Sequence, residues 1–94
     1  GIIEGPHFAK AAYIISDHKD EIAREIMDGM ERGVTVMDAR GAYTGERRDI
    51  LLCVVSKKEM VEVKEIVLRT DPGAFVIVSD VREVLGEGFM EYRQ

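Results

Sequence analysis

Apolar residues along this chain gather into short runs that alternate with charged stretches. Short runs rich in β-branched side chains favour strands at residues 11–16, 34–39, 49–56 and from 74 towards 86. Between these strands, the chain repeats apolar residues every three or four positions over 16–33 and again over 56–70. That spacing places apolar side chains on one face of a helix, so both stretches predict amphipathic helices.

The first predicted helix has a signal at each end. Ser16 or Asp17 can cap its N-terminus, and Gly33 can end it. Its apolar residues fall within an arc of about 140°, which indicates one buried face. These residues are Ile22, Ala23, Ile26, Met27 and Met30.

The second predicted helix begins with a capping box, in which Ser56 and Glu59 can satisfy each other's backbone amides. It ends before Pro72, which cannot continue a helix. Its apolar residues spread over about 220°, interrupted by Lys64, and this is wider than one core contact uses.

The predicted order is β-α-β-β-α-β. Two right-handed β-α-β crossovers joined by a hairpin produce an α+β fold, the ferredoxin-like sandwich, with a four-stranded antiparallel sheet and both helices on one face. The sequence contains no repeats or internal linker, so we expect a single domain over residues 10–94. Because the chain starts without an initiator methionine, residues 1–9 are interpreted as a leader from a preceding region.

The strands themselves predict self-association. Residues 50–55 and 74–78 are apolar at every position, and neighbouring residues of a strand point to opposite faces. Two helices cover only one face, so the other would expose an apolar patch that monomers rarely tolerate. The alternative is that the tail, residues 80–94, folds back over the open face.

Composition narrows the class of protein. The net charge of −5 argues against nucleic acid as a partner, since such proteins present a basic face. The single cysteine, Cys53, excludes an internal disulfide and fits a reducing compartment. No apolar run is long enough for a membrane helix, and no signal peptide is recognisable.

The best candidate site is the connection between the second and third strands, which is longer than an ordinary hairpin turn. Its arginines can pair with phosphate or carboxylate, its tyrosine offers a stacking face, and its glycines permit close backbone approach. The candidate ligand-binding residues are Arg40, Gly41, Tyr43, Thr44, Gly45, Arg47 and Arg48. We expect one of the guanidinium groups of Arg47 and Arg48 to point towards a cleft and the other away. Two alternatives need no ligand: the arginines neutralise nearby acids, or they are simply solvated.

A second glycine cluster lies near the C-terminus. Gly86 and Gly88 can form an anion-receiving nest, although a tail turn that packs Phe89 is the simpler interpretation. Elsewhere, His18 fits a surface position and Cys53 a core position, and no second His or Cys is placed to share a metal. No catalytic grouping is recognisable, so we expect no enzyme activity, no metal and no cofactor.

Four segments together resemble one family. They are "RGVTVMDARGAYTG" at 32–45, "LLCVV" at 51–55, "DPGAFVIV" at 71–78 and "EVLGEGF" at 83–89. The chain resembles the domain of unknown function at the C-terminus of YitT-type bacterial membrane proteins. That resemblance implies a domain that follows transmembrane helices and lies on the cytoplasmic side of the membrane.

The predicted strand and helix order is also similar to that of the PII signal-transduction proteins. This similarity implies a homo-oligomer, with a trimer favoured, and a nucleotide in a cleft between subunits beside the connection of the second and third strands. The sequence therefore predicts a non-enzymatic sensory or regulatory module that binds a small anionic ligand. The alternative is a purely structural oligomerisation domain that holds membrane subunits together and binds nothing.

Overall fold

The computed structural model describes residues 9–82, which form six elements. The strands are β1 (Ala9–Ile15), β2 (Thr35–Met37), β3 (Ile50–Ser56) and β4 (Phe75–Val81). The helices are α1 (Lys19–Met30) and α2 (Lys57–Thr70). The element order is the predicted β-α-β-β-α-β.

The four strands form one sheet in the order β2-β3-β1-β4, and every neighbouring pair is antiparallel. The central pair is in a register that places Ala12 opposite Cys53, while Ala12 faces Val78 on the other side. This topology confirms the predicted four-stranded antiparallel sheet of the ferredoxin-like sandwich.

One face of the sheet and the two helices enclose the core. Alternate residues of β3 are buried and point towards the helices, which is the period of two that a strand imposes. The fully buried centre consists of Ile14, Ile22, Ile26, Leu51, Cys53, Val63 and Val67. Met27, predicted to share the buried face of α1, is 45% exposed, because α1 turns only Ile22, Ala23 and Ile26 fully inward.

The ends of α1 differ from the prediction. Its N-cap is His18, whose side chain makes no capping hydrogen bond, so neither Ser16 nor Asp17 occupies that position. Ser16 Oγ is instead held by Asp71, to which it donates at 2.6 Å. At the other end the helix closes at Glu31, which adopts the left-handed conformation (φ 59°), two residues before Gly33. The predicted cap positions are therefore wrong by one or two residues at each end of α1.

The ends of α2 follow the prediction. Ser56 Oγ accepts from the backbone N–H of Glu59 at 3.1 Å, and Glu59 accepts from the backbone N–H of Ser56 at 2.8 Å. Burial opposes the charged form of Glu59, but the hydrogen bond from Ser56 and the pairing with Arg32 bring its pKa below the ordinary value. The capping box is confirmed, and the helix ends at Thr70, ahead of Pro72.

The opposite face of the sheet carries no helix among the described residues. By register, Leu52, Tyr13 and Ile77 form one cross-strand row of this open face, and Ile15 and Phe75 belong to the next. Phe75 is 69% and Ile77 55% exposed, whereas Ala9 and Ala11 on the same face are buried. The expectation that both faces are apolar is confirmed. The glycine cluster Gly86 and Gly88, and most of the tail considered as a cover, lie outside the described residues.

Candidate functional site

The connection between β2 and β3 is an extended hairpin. Beyond the two strands, Arg40 and Arg47 form an isolated antiparallel bridge, and the backbone N–H of Arg48 donates to Ala39 O at 2.8 Å. The two chain segments therefore stay paired well past Met37, and the true turn is confined to residues 41–46. The apparent excess length of the loop is largely irregular strand pairing.

Hydrogen bonds fix the turn internally. The backbone N–H of Gly41 donates to Glu46 O at 2.9 Å, and that of Gly45 donates to Gly41 O at 2.8 Å. Thr44 Oγ1 accepts from the backbone N–H of Glu46 at 3.1 Å. Gly45 has φ 75°, and a Cβ on Gly41 would lie 3.0 Å from Thr44 Oγ1. Both glycines and Thr44 thus have a structural reason to be present that requires no ligand.

Tyr43 lies at the tip of this turn and is 100% exposed. No neighbouring residue shelters its ring, although the backbone beneath it is held by the hydrogen bonds of the turn. A large exposed aromatic ring on an ordered turn is available for stacking with a ligand or contact with a partner.

Arg47 is already engaged by carboxylates. Its Nε donates to Asp49 Oδ1 at 3.1 Å, and one terminal nitrogen donates to Asp38 Oδ1 at 3.4 Å. The hydrogen bond to Asp49 raises the pKa of Arg47, and the same bond lowers the pKa of Asp49. The structure therefore supports, for Arg47, the alternative in which the hairpin arginines neutralise nearby acids.

Asp49, which sequence reasoning did not single out, connects the hairpin to α1. Its side chain is only 7% exposed, and Lys19 Nζ lies 3.5 Å from its second oxygen. Lys19 is the first residue of α1, so this ion pair bridges elements that are far apart in sequence. The sequence signal that could have identified Asp49 is its position as an acidic residue directly before an apolar strand. Its pairing with Lys19, however, depends on how α1 packs.

Arg40 and Arg48 are less engaged than Arg47. Arg48 lies 4.0 Å from the carboxylate of Asp17, which is the outer limit of an ion pair. Within residues 9–82, no carboxylate lies within 4 Å of the Arg40 guanidinium. These two side chains are the cations of the hairpin that are most available to an anion.

A surface cleft of about 430 Å³ lies between the hairpin and the start of α1. Its lining residues are Ser16, Asp17, Lys19, Asp20, Arg47, Arg48 and Asp49. Both Arg47 and Arg48 line this cleft, and the expectation that their guanidinium groups point in opposite directions stays a prediction.

On the other side of Arg47 is a shallow hollow of about 580 Å³. It is lined by Asp38, Ala39, Arg40 and Arg47. The hairpin therefore separates two depressions, and Arg47 contributes to both.

A second polar cluster borders the cleft, where β1 ends near the turn after α2. Ser16 Oγ donates to Asp71 Oδ2 and accepts from the backbone N–H of His18 at 2.8 Å. Asp71 Oδ1 accepts from the backbone N–H of Gly73 at 3.0 Å. The hydrogen bond from Ser16 is the main reason why the pKa of Asp71 lies below its ordinary value. This cluster ties the floor of the cleft to the α2–β4 turn.

The remaining candidates occupy the positions expected of them. Cys53 is 2% exposed, and burial raises the pKa of its thiol to about 11, which suppresses the reactive thiolate. The His18 side chain is 52% exposed and lies 3.0 Å from Glu21. Over the part of the chain that the structure describes, no three His, Cys, Asp or Glu side chains come together as a metal site.

No helix among the described residues is long and apolar enough to cross a membrane.

Comparison with known proteins places this fold in a family. The model of an uncharacterised protein family conserved in bacteria, DUF2179, matches residues 32–86. Two relatives from Bacillus subtilis are the UPF0750 membrane proteins YpjC, 52% identical over 94% of this chain, and YitT, 31% identical over 85% of it. The chain spans only 30% of YpjC and 29% of YitT.

Solved structures agree with this assignment. A DUF2179 protein from Eubacterium ventriosum is 34% identical, with a TM-score of 0.69, over 76% of this chain and 97% of that protein. The PII protein of Arabidopsis thaliana bound to citrate is 22% identical, with a TM-score of 0.71, over 90% of this chain and 84% of PII. The second likeness concerns the fold alone and confirms that it is PII-like. The chain therefore belongs to the DUF2179 family and corresponds to a domain of the UPF0750 membrane proteins, YitT among them.

Proposed function

We propose that this domain is a non-enzymatic regulatory module of a bacterial membrane protein, on the cytoplasmic side of the membrane. It self-associates through the open face of its sheet and binds a small anionic ligand beside the β2–β3 hairpin. The observation that carries the ligand proposal is the pair Arg40 and Arg48 on an internally hydrogen-bonded hairpin: among residues 9–82, Arg40 has no carboxylate within 4 Å, and Arg48 has only Asp17, at 4.0 Å.

The two arginines differ from Arg47 in what an anion would have to displace. A ligand that pairs with Arg47 competes with Asp49 and Asp38, which already accept its hydrogen bonds. Arg48 lines the cleft with only a 4.0 Å contact to Asp17, so an anionic group can pair with it at little cost. Tyr43 adds a stacking face at the tip of the same hairpin.

Self-association is supported by the open face. Phe75 and Ile77 are more than half exposed and lie beside Ile15 and Tyr13 of β1 on that face. A second copy that covers this face removes the exposed area from water, which favours association. A trimer is the assembly that we favour, by analogy with the PII fold.

The PII structure offers one further analogy. That protein is bound to citrate, a small tricarboxylate, and its fold is shared with this domain. The identity of 22% transfers no binding residue, so the analogy supports the class of ligand and nothing finer.

The second candidate function is a purely structural oligomerisation domain. The observation in its favour is the charge balance of the cleft, where Lys19, Arg47 and Arg48 face three carboxylates. In that case, the hairpin arginines serve the internal ion pairs and solvation alone, and no ligand is bound.

A thermal-shift experiment separates the two functions. The chain is melted with citrate, inorganic phosphate and ATP, and so are the variants R40A/R48A and R24A. Arg24 is an exposed arginine of α1 away from the hairpin and serves as the matched control. We expect at least one anion to raise the melting temperature of the wild type and of R24A, but not that of R40A/R48A.

The unliganded melting temperature of R40A/R48A should stay close to that of the wild type, because exposed charges contribute little to folding. If none of the anions stabilises the wild-type oligomer, or if R40A/R48A responds as the wild type does, the ligand-binding function is wrong. The structural oligomerisation function would then stand.

A further inference from the structure

Helix α2 carries apolar residues that the core does not use. Its buried side consists of Met60, Val63, Ile66 and Val67. Val61 is 59% and Leu68 64% exposed, which accounts for the unusually wide apolar arc of this helix. Val61 and Leu68 lie about two helical turns apart on the same side of α2. These exposed aliphatic side chains therefore form a surface of their own, separate from the core.

Two lysines share this surface. At about 100° per residue, Lys57, Lys64 and Leu68 fall within about 60° of Val61, all to the same side of it. We call these four residues, Lys57, Val61, Lys64 and Leu68, the lysine stripe of α2. The other exposed flank of the helix carries Lys58, Glu62, Glu65 and Arg69, whose charges balance.

The lysine stripe faces away from α1. Arg69, on the opposite flank of α2, donates to Glu25 of α1 at 2.6 Å, and this ion pair marks the side on which the two helices meet. The stripe also lies on the helix layer, whereas Phe75 and Ile77 lie on the open face of the sheet. Association through the sheet would therefore leave the lysine stripe uncovered.

Charge distinguishes the stripe from the rest of this acidic chain. Within residues 9–82, no carboxylate lies within 4 Å of the ammonium group of Lys57 or Lys64. Two lysines with no carboxylate within 4 Å among residues 9–82, in a chain of net charge −5, form a local positive patch. Its chemical complement is a surface that is both anionic and able to accept aliphatic side chains.

We propose that the lysine stripe of α2 docks on the anionic surface of a lipid bilayer. Lysines extend their ammonium groups to lipid phosphates while valine and leucine enter the headgroup region, as on interfacial helices. The chain corresponds to a domain of membrane proteins, so its tether supplies a high local concentration and even a weak contact is occupied. This proposal is independent of the hairpin ligand and of the sheet interface.

Vesicle flotation tests the proposal. The 94-residue chain is titrated at low salt with vesicles of phosphatidylcholine alone, or of phosphatidylcholine and phosphatidylglycerol in equal parts. We expect binding only to the anionic vesicles, and weaker binding as salt rises, because salt screens exposed charges.

Three variants locate the contact. K57E/K64E should lose at least about tenfold in binding, given the attraction of each lysine to an anionic surface. V61S/L68S should also bind less tightly. R24E/R82E changes the net charge by the same amount as K57E/K64E but at exposed arginines off the stripe, so it should keep most of the binding. Thermal melts verify that each variant folds.

Several results would overturn the proposal. They are a wild-type chain that stays with the aqueous phase at every lipid concentration, or equal losses in K57E/K64E and R24E/R82E. The proposal would also be wrong if the V61S/L68S variant bound vesicles as the wild type does but had a lower mass in sedimentation. The lysine stripe would then be a protein interface.

Discussion

The two faces of the sheet come from the same strands but end in different environments. On the helix face, Leu51 and Cys53 are 1% and 2% exposed beneath α1 and α2. On the open face, Phe75 and Ile77 are 69% and 55% exposed. The side chains on the two faces are equally apolar, so hydrophobicity alone does not distinguish them.

The difference lies in what the chain supplies to cover each face. Two helices suffice for one layer, and their buried residues interlock with alternate positions of β1 and β3. The open face has no such layer among residues 9–82, and we propose that its apolar area is a surface for association. Substitutions at neighbouring positions of a strand should thus have different consequences, one for folding and one for assembly.

The largest effect is expected on the helix face. Leu51→Ala removes a fully buried side chain and leaves a cavity, so it should lower the free energy of unfolding by about 2–5 kcal/mol. The matched control is Leu52→Ala, the same change one residue later at a half-buried side chain on the open face. It should lower the free energy of unfolding by less. Urea unfolding of both variants measures the comparison. Equal losses would mean that the faces are equally buried in the assembled protein.

The open face should respond in its assembly. In F75S/I77S, two exposed apolar side chains are replaced by polar ones, which should weaken association by about a hundredfold or more while the fold survives. Sedimentation equilibrium measures the mass, and circular dichroism measures the fold. The corresponding double variant V61S/L68S, on the helix layer, should keep the wild-type mass. An F75S/I77S protein of unchanged mass would exclude the open face as the interface.

Acid should unfold the domain through groups on the helix side. Asp49, Glu59 and Asp71 have pKa values lowered in the folded state by hydrogen bonds and ion pairs. Their contribution is therefore present above the ordinary carboxyl pKa, near 4, and is lost as the pH falls through the lowered folded values. Melting temperatures between neutral pH and pH 3 or so should fall more steeply for the wild type than for Asp49→Asn. Asp28→Asn, at an exposed acid of α1, serves as the control for the loss of one carboxylate.

The smallest effect is expected at Cys53. Cys53→Ala leaves a small cavity and should lower the free energy of unfolding by about 1 kcal/mol. The native thiol should resist labelling, because it is buried and its pKa is raised to about 11. In the C53A background, Val54→Cys places the thiol on the open face, where labelling should be faster in the monomer than in the oligomer. Rapid labelling of native Cys53 would contradict its placement in the core.

Much of the fold was accessible from the sequence because its signals are local. Both predicted ends of α2 are confirmed. They depend on residues within one helical turn, namely the capping box of Ser56 and Glu59 and the end of the helix before Pro72. The alternation along β3 likewise needs only the strand period. The ends of α1 were predicted less well: its N-cap is His18 rather than Ser16 or Asp17, and it closes at Glu31, two residues before Gly33.

The candidate site was predicted less completely. The sequence placed the arginines on one connection, but it did not distinguish Arg47, held by Asp49 and Asp38, from the freer Arg40 and Arg48. It also missed Asp49, whose partner Lys19 comes from α1. Ion pairs between separate elements depend on packing distances, which no local pattern contains.

The sequence by itself determined the order of the elements, the period of each and the apolar character of both sheet faces, since these follow from neighbouring residues along one chain. Only the tertiary structure decided which face the helices cover and which arginine is neutralised. It also decided where the surplus apolar residues of α2 lie, on the flank that faces away from α1. Those outcomes depend on how elements approach one another in space, where burial and distance set the strength of each contact.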